Sequence, residues 1–187
     1  DWTAVATNLQ IDSLNSLGAK TVELYLPKLM SLAGFCKVQN SELVNTTVEE
    51  LTIRTDIQVS SIVSFLECGF NFYDRALKKL NLYVDTSKAT VASLAFAHQR
   101  TLEEITGTPL DLSSVSGTGS GGTFNYCYAL KEERFKGLIK VNLQLKESTK
   151  LSKTSIESII SCLSPDASSK TLTLSKVAVD AAFETSD

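Results

Sequence analysis

The sequence predicts an α/β solenoid, with short parallel strands stacked into a sheet on one side and irregular turns or short helices on the other. Three observations predict it. Strand-like runs recur along the chain: with Leu24, Leu51, Leu80, Ile105, Val141 and Leu172 as equivalents, every interval falls within the roughly 20–50 residues of a solenoid repeat. Most of these runs alternate apolar with polar residues, which puts Leu and Ile on one face and polar side chains on the other. Between them a second signature returns in order: an Asp-x-Ser turn, a Phe, then Leu-x-Glu. One coil cannot bury its own apolar face, so such a chain draws its stability from stacking.

The elements follow in order. Residues 1–20 carry Ile11, Leu14 and Leu17 at near-helical spacing and are expected to cap the first coil or lead in from a preceding domain. The repeat domain then occupies 21–187 as about six irregular coils, with strands expected at 22–26, 51–53, 80–84, 102–105, 139–145 and 171–174. Its clearest copies are Asp85-Thr86-Ser87, Phe96 and Leu102-Glu103-Glu104 against Asp111-Leu112-Ser113, Phe124 and Leu130-Lys131-Glu132, in which Phe and Leu repeat after the same interval. A third copy runs from Asp56 through Phe65 and Cys68 to Leu80, and His98-Gln99 stands where the other copies place cysteine. Glu133 falls where the preceding copy has Ile105, which leaves the register of 131–137 open, and the mixed-charge run Lys131–Lys136 is expected on a solvated edge. A helix is expected over 152–163, capped by Thr154 or Ser155, with Glu157 in its first turn and Ile156, Ile159, Ile160 and Leu163 packed on the core.

Composition excludes several function classes. An apolar content of 43% with a net charge of −3 is that of a folded chain, not a disordered one. With 18 basic against 21 acidic residues there is no positive field, so no nucleic-acid partner is expected. No apolar run approaches the roughly 18 residues of a membrane span, so no membrane insertion is expected. No signal peptide is visible, and a start at Asp1 is expected of a processed or excised chain. Cys36, Cys68, Cys127 and Cys162 form no close C-x2-C pair, and each has apolar neighbours; they are expected as buried free thiols, the alternative being a disulfide.

His98 is the only imidazole, no G-x-S-x-G turn accompanies it, and a structural role is expected; a hydrolase would have to rest on it alone. The segment Gly117–Gly122 lacks the Gly-Lys-Ser/Thr ending of a phosphate loop and reads as a linker between coils. No catalytic residue, cofactor or metal is therefore assigned, and the chain is expected not to be an enzyme.

The polar strand faces are the candidate site. With Leu inward, one outward column reads Glu23, Glu50, Lys79, Glu104, Lys140, Thr171 and the next Tyr25, Thr52, Asn81, Thr106, Asn142, Thr173. The candidate binding face is Tyr25, Thr52, Arg54, Lys79, Asn81, Tyr83, Lys140, Asn142 and Gln144, because tyrosine, arginine and amides on a rigid sheet combine flat area with hydrogen bonding. Thr and Asn also suit a merely solvated strand face, which is the competing explanation.

Leu82-Tyr83-Val84-Asp85-Thr86-Ser87, Phe124-Asn125-Tyr126-Cys127-Tyr128-Ala129-Leu130 and the closing stretch Leu138–Leu174 resemble the irregular BspA-type leucine-rich repeats of bacterial surface proteins and phage virion proteins. The resemblance covers about residues 20–180. It implies a leucine-rich-repeat solenoid acting as a non-enzymatic binding or structural module of a phage particle, in a tail, fibre or other virion protein. It would recognise a protein or a host-surface glycan, or dock neighbouring virion subunits. The alternative it implies is a bacterial cell-surface or secreted adhesin built from the same repeats.

Overall fold

Val22, Leu51 and Leu80 are equally spaced along the chain, and the backbone uses that interval to set the three side by side. The structure is a computed structural model that describes residues 19–35, 48–66, 76–116, 122–166 and 168–184. Strands β1 (Thr21–Tyr25), β2 (Glu50–Gln58), β3 (Lys79–Asp85) and β4 (Glu104–Gly107) pair in parallel in that order. They make about four turns of a β-solenoid. Beyond β4 the pairing breaks into two short parallel ladders, β5 (Leu110–Asp111) with β6 (Phe135–Lys136) and β7 (Leu143–Leu145) with β8 (Leu172–Leu174).

Leu51, Leu80 and Ile105 pair as the Leu-x-Leu runs suggest, but the register differs by two positions at β1 and β7. Leu24 lies beside Ile53 rather than Leu51, and Leu143 rather than Val141 lies beside Leu172. Side chains alternate with period two, so a slip of two keeps every inward residue inward and is invisible to the alternation. Packing between coils selects the answer. Val22, Leu51, Leu80 and Ile105 form one inward row, Leu24, Ile53 and Leu82 the next, and Gly107 ends that second row.

Opposite the sheet the same coils are joined by turns. Gly34 N–H donates to Val63 O and Ser64 N–H to Ser93 O, both at 2.9 Å, so the turns stack by main-chain hydrogen bonds as the strands do. Gly34, Ser64 and Leu94 recur at equal intervals and all hold positive φ (60°, 49° and 56°), the same left-handed corner in three successive coils. A stack of four rings runs beside these corners: Phe35, Phe65, Phe96 and Phe124, all fully buried, follow one another at 5.5, 5.8 and 5.2 Å between centroids. Asp85 and Asp111 accept the backbone N–H of Ser87 and Ser113 at 2.9 Å, which explains the recurrent Asp-x-Ser as a side-chain turn at the strand end.

The cysteine position is also explained. Cys127 Sγ lies 3.1 Å from Phe96 O, and Gln99, at the matching place one coil earlier, donates through its side-chain amide to Leu66 O. Both reach back to a carbonyl of the preceding coil, so the exchange of residue preserves the donor. Cys127 and Cys162 are free and buried; Cys36, Cys68, residues 1–18 and residues 117–121 lie outside the described residues.

Among the described residues helix is confined to the C-terminal part, α1 (Lys153–Ser161) and α2 (Lys176–Phe183). The α1 cap is Ser152, whose hydroxyl accepts Ser155 N–H at 3.1 Å, not Thr154 or Ser155, and Glu157 falls beyond the first turn. Ile156 and Ile159 are buried, whereas Ile160 and Leu163 are exposed. Glu104 bridges in parallel to Glu132, so Glu133 does take the place that Ile105 holds one coil earlier. The run 131–136 is therefore not a solvated edge throughout, since Glu133 is 1% and Phe135 6% exposed.

Candidate functional site

Parallel pairing without a stagger turns each outward strand position into a row across the sheet. The first row is Thr21, Glu50, Lys79 and Glu104; the second is Glu23, Thr52, Asn81 and Thr106; the third is Tyr25, Arg54 and Tyr83. Glu23 therefore stands beside Thr52 and Tyr25 beside Arg54, each one outward position removed from the columns drawn on the sequence. Tyr25, Thr52, Arg54, Lys79, Asn81 and Tyr83 share this four-stranded sheet. Lys140, Asn142 and Gln144 do not: they belong to the segment leading into and through β7, where Asn142 Oδ1 accepts Thr171 N–H at 2.9 Å and Gln144 lies beside Thr173.

The second row is tied up by hydrogen bonds within the sheet. Asn81 Nδ2 donates to Glu50 Oε1 at 2.7 Å and to Thr52 Oγ1 at 3.0 Å, and Asn81 Oδ1 accepts the Thr106 hydroxyl at 2.6 Å. Thr52 is 8% exposed, so its hydroxyl serves the sheet more than a ligand. Lys79 lies 3.5 Å from Glu50. Residues that read as contact groups in the sequence thus hold one coil to the next.

The third row keeps its surface. Tyr25 is 50% and Tyr83 40% exposed, and both are held. The Tyr25 hydroxyl donates to Asp56 Oδ2 at 2.5 Å, and that hydrogen bond, with the carboxylate's charge, pushes the phenol pKa up. Arg54 Nε donates to Glu23 Oε1 at 2.8 Å, and its guanidinium lies 3.9 Å from the centroid of the Tyr83 ring. The Glu23 hydrogen bond raises the Arg54 pKa further, so this cation keeps its charge at any physiological pH. Asp56 is a site residue the sequence reading missed, and Glu23, which it set in an outward column, was left out of the binding face. Each lies on a strand next to its partner's and two positions out of line with it, a diagonal that only the correct register reveals.

Elsewhere, His98 is 5% exposed, with its ring 4.6 Å from that of Tyr126 in a stacked arrangement. Among the described residues no group of three or more His, Cys, Asp or Glu side chains is placed to hold a metal ion, and no helix is long and apolar enough to cross a membrane. Comparisons with family models, with curated proteins and with solved structures found no match to this chain.

Proposed function

We propose that the chain is a non-enzymatic recognition module that binds a protein or host-surface glycan on the Tyr25–Arg54–Tyr83 row. The observation that carries this is the row itself: two half-exposed tyrosines with an arginine between them, each fixed by a partner from a neighbouring strand. Flat aromatic surface beside a fixed cation supports stacking on sugar rings or apolar side chains with hydrogen bonds at their edge. Because the side chains are already ordered, little rotamer freedom is lost on binding.

The setting we propose is a phage particle, in a tail, fibre or other virion protein, with a bacterial cell-surface or secreted adhesin as the alternative. Support for both comes from the resemblance to BspA-type leucine-rich repeats, and the parallel solenoid is compatible with it. Docking onto neighbouring virion subunits would use the same face.

The test is the triple variant Tyr25→Ala, Arg54→Ala, Tyr83→Ala, compared with the parent chain on a glycan array and on intact bacterial cells. The expected result is at least about a tenfold loss of binding with a melting temperature within a few degrees of the parent. Undiminished binding by the triple variant would place the ligand elsewhere on the molecule. A collapse of the melting temperature would show that the row is structural.

A further inference from the structure

The Tyr25–Arg54–Tyr83 row offers a ligand one cation, and that cation is already answered. Arg54 Nε donates to Glu23 Oε1 at 2.8 Å, and the guanidinium lies 3.9 Å from the Tyr83 ring centroid. Lys79 lies 3.5 Å from Glu50, and Lys136 of β6 3.8 Å from Asp85. Strands β1 to β4 carry five carboxylates, Glu23, Glu50, Asp56, Asp85 and Glu104, against the two cations Arg54 and Lys79. Lys20 and Lys78, which precede the strands, each lie 3.1 Å from Glu49, and Lys28 and Lys88 belong to the turns after β1 and β3. An acidic sugar or a phosphate would have to displace Glu23 from Arg54 with like charge on either side.

Glu23 and Asp56 suit another ligand. Arg54 pairs with Tyr83 and Gln58 with Asp85, so residues 55–57 face Val84 alone and form a bulge. The bulge carries Asp56 past the end of β1, where its Oδ2 accepts the Tyr25 hydroxyl at 2.5 Å. Among the described residues, Glu23 Oε2 and Asp56 Oδ1 have no hydrogen-bond partner, and both side chains are exposed. An ionised carboxylate only accepts hydrogen bonds, so these two oxygens call for donors without negative charge, such as sugar hydroxyls.

The row has a defined length. Neighbouring strands lie about 4.8 Å apart, which sets Tyr25 and Tyr83 about 9.6 Å apart with Arg54 between them. Beyond Tyr83 the row stops. The last pair there is Leu82 with Gly107, and the chain bulges again at 105–109, opposite only residues 133–134. Three strands at this spacing match roughly two or three sugar units laid along the stacking axis.

Taking this row as the recognition surface, as above, we propose that its ligand is an uncharged glycan chain. Glu23 and Asp56 are its specificity residues: they accept the hydroxyls of the chain and turn acidic sugars away. The half-exposed tyrosines supply apolar area for the C–H faces of the sugars.

The experiment is an array of neutral, sialylated, phosphorylated and amine-bearing oligosaccharides, probed with the full chain at about 50 and 500 mM NaCl. Glu23→Gln, Asp56→Asn and the triple alanine variant of the row are probed alongside, with melting temperatures to report their folding. The parent is expected on neutral oligosaccharides, equally at both salt concentrations. In Glu23→Gln, whose amide oxygen still accepts the Arg54 Nε–H, the ratio of acidic to neutral binding is expected to rise about tenfold, and Asp56→Asn should move it the same way. Preference of the parent for acidic or amine-bearing oligosaccharides, weakened by salt and lost in the triple variant, would overturn the proposal while the row remains the site. An unchanged ratio in both single variants, or an array without a neutral hit, would overturn it too. Neutral binding that survives in the triple variant would overturn the reading of the row itself.

Discussion

Glu133 occupies the slot that Ile105 fills one coil earlier, and that single exchange sets a pH dependence for the fold. Its pKa is raised by burial, only partly offset by the Arg134 N–H. The sign follows from linkage. Below about pH 4 the carboxyl is neutral in both folded and unfolded chains and costs no proton. As pH rises, the unfolded chain ionises while the folded chain holds its proton, so stability falls until the folded pKa is passed. Glu133→Gln removes this arm. The variant is expected to match the parent near pH 4 and to gain up to about 1.4 kcal/mol per pH unit above it. Urea unfolding of both proteins at pH 4, 5.5 and 7 measures the difference, in which all other groups cancel. A constant difference across that range would mean that the Glu133 carboxyl ionises alike in both states. The sequence showed the anomaly, glutamate for isoleucine, but it reads equally well as a slipped register. Only burial on both sides distinguishes the two.

One helix takes over the work of a strand. The edge of 131–135 that faces away from β4 needs partners for its main chain, and α1 supplies them with serines spaced three apart. Ser152 N–H donates to Lys131 O at 2.9 Å, Glu133 N–H to Ser155 Oγ and Phe135 N–H to Ser158 Oγ, both at 3.0 Å. The Ser155 hydroxyl in turn donates to Lys131 O at 3.1 Å. A helix covering a sheet edge is a known device against strand addition, and here its polar face does the covering. Ser155→Ala strands the buried Glu133 N–H and is expected to cost about 1–3 kcal/mol. Ser161→Ala, on an exposed hydroxyl that bonds Ser158 O, should stay within about 0.5 kcal/mol. Chemical denaturation of the two variants compares them, and equal losses would show that the ladder adds nothing beyond helix propensity. The isoleucine spacing made the helix itself legible. The serines were not, because their partners lie a whole coil upstream, and a Ser at every third position looks like ordinary solvated surface.

Across the whole molecule, stacking order is written in charge. Lys20, Glu49, Lys78, Glu103 and Lys131 follow one another on successive coils, each main-chain N–H donating to the carbonyl of the one before at 2.7–2.8 Å. The signs alternate along the entire column. Glu49 lies 3.1 Å from both Lys20 and Lys78, and Glu103 2.6 Å from Lys131. The column was present in the sequence at coil-length intervals, but it sits just before each strand, outside the alternating pattern that located the coils. The repeated Phe and Leu-x-Glu positions were legible because the same interval separates both pairs without insertion; the bulge at 105–109 is where that regularity ends. Hydrogen bonds to the lysines hold the Glu49 and Glu103 carboxyls below their ordinary range. Their contribution is present above the unfolded carboxylate pKa and lost as pH falls through the lower folded values, opposite in sign to that of Glu133. Exposed pairs of this kind are individually weak and screened by salt, so what the column can specify is neighbour order. Lys78→Glu places like charges beside Glu49 and is expected to lower the melting temperature, less so in concentrated NaCl. Inverting all five signs together restores the alternation and should recover most of the loss. If the fully inverted chain melts as low as the single variant, the individual lysines matter and the alternation does not.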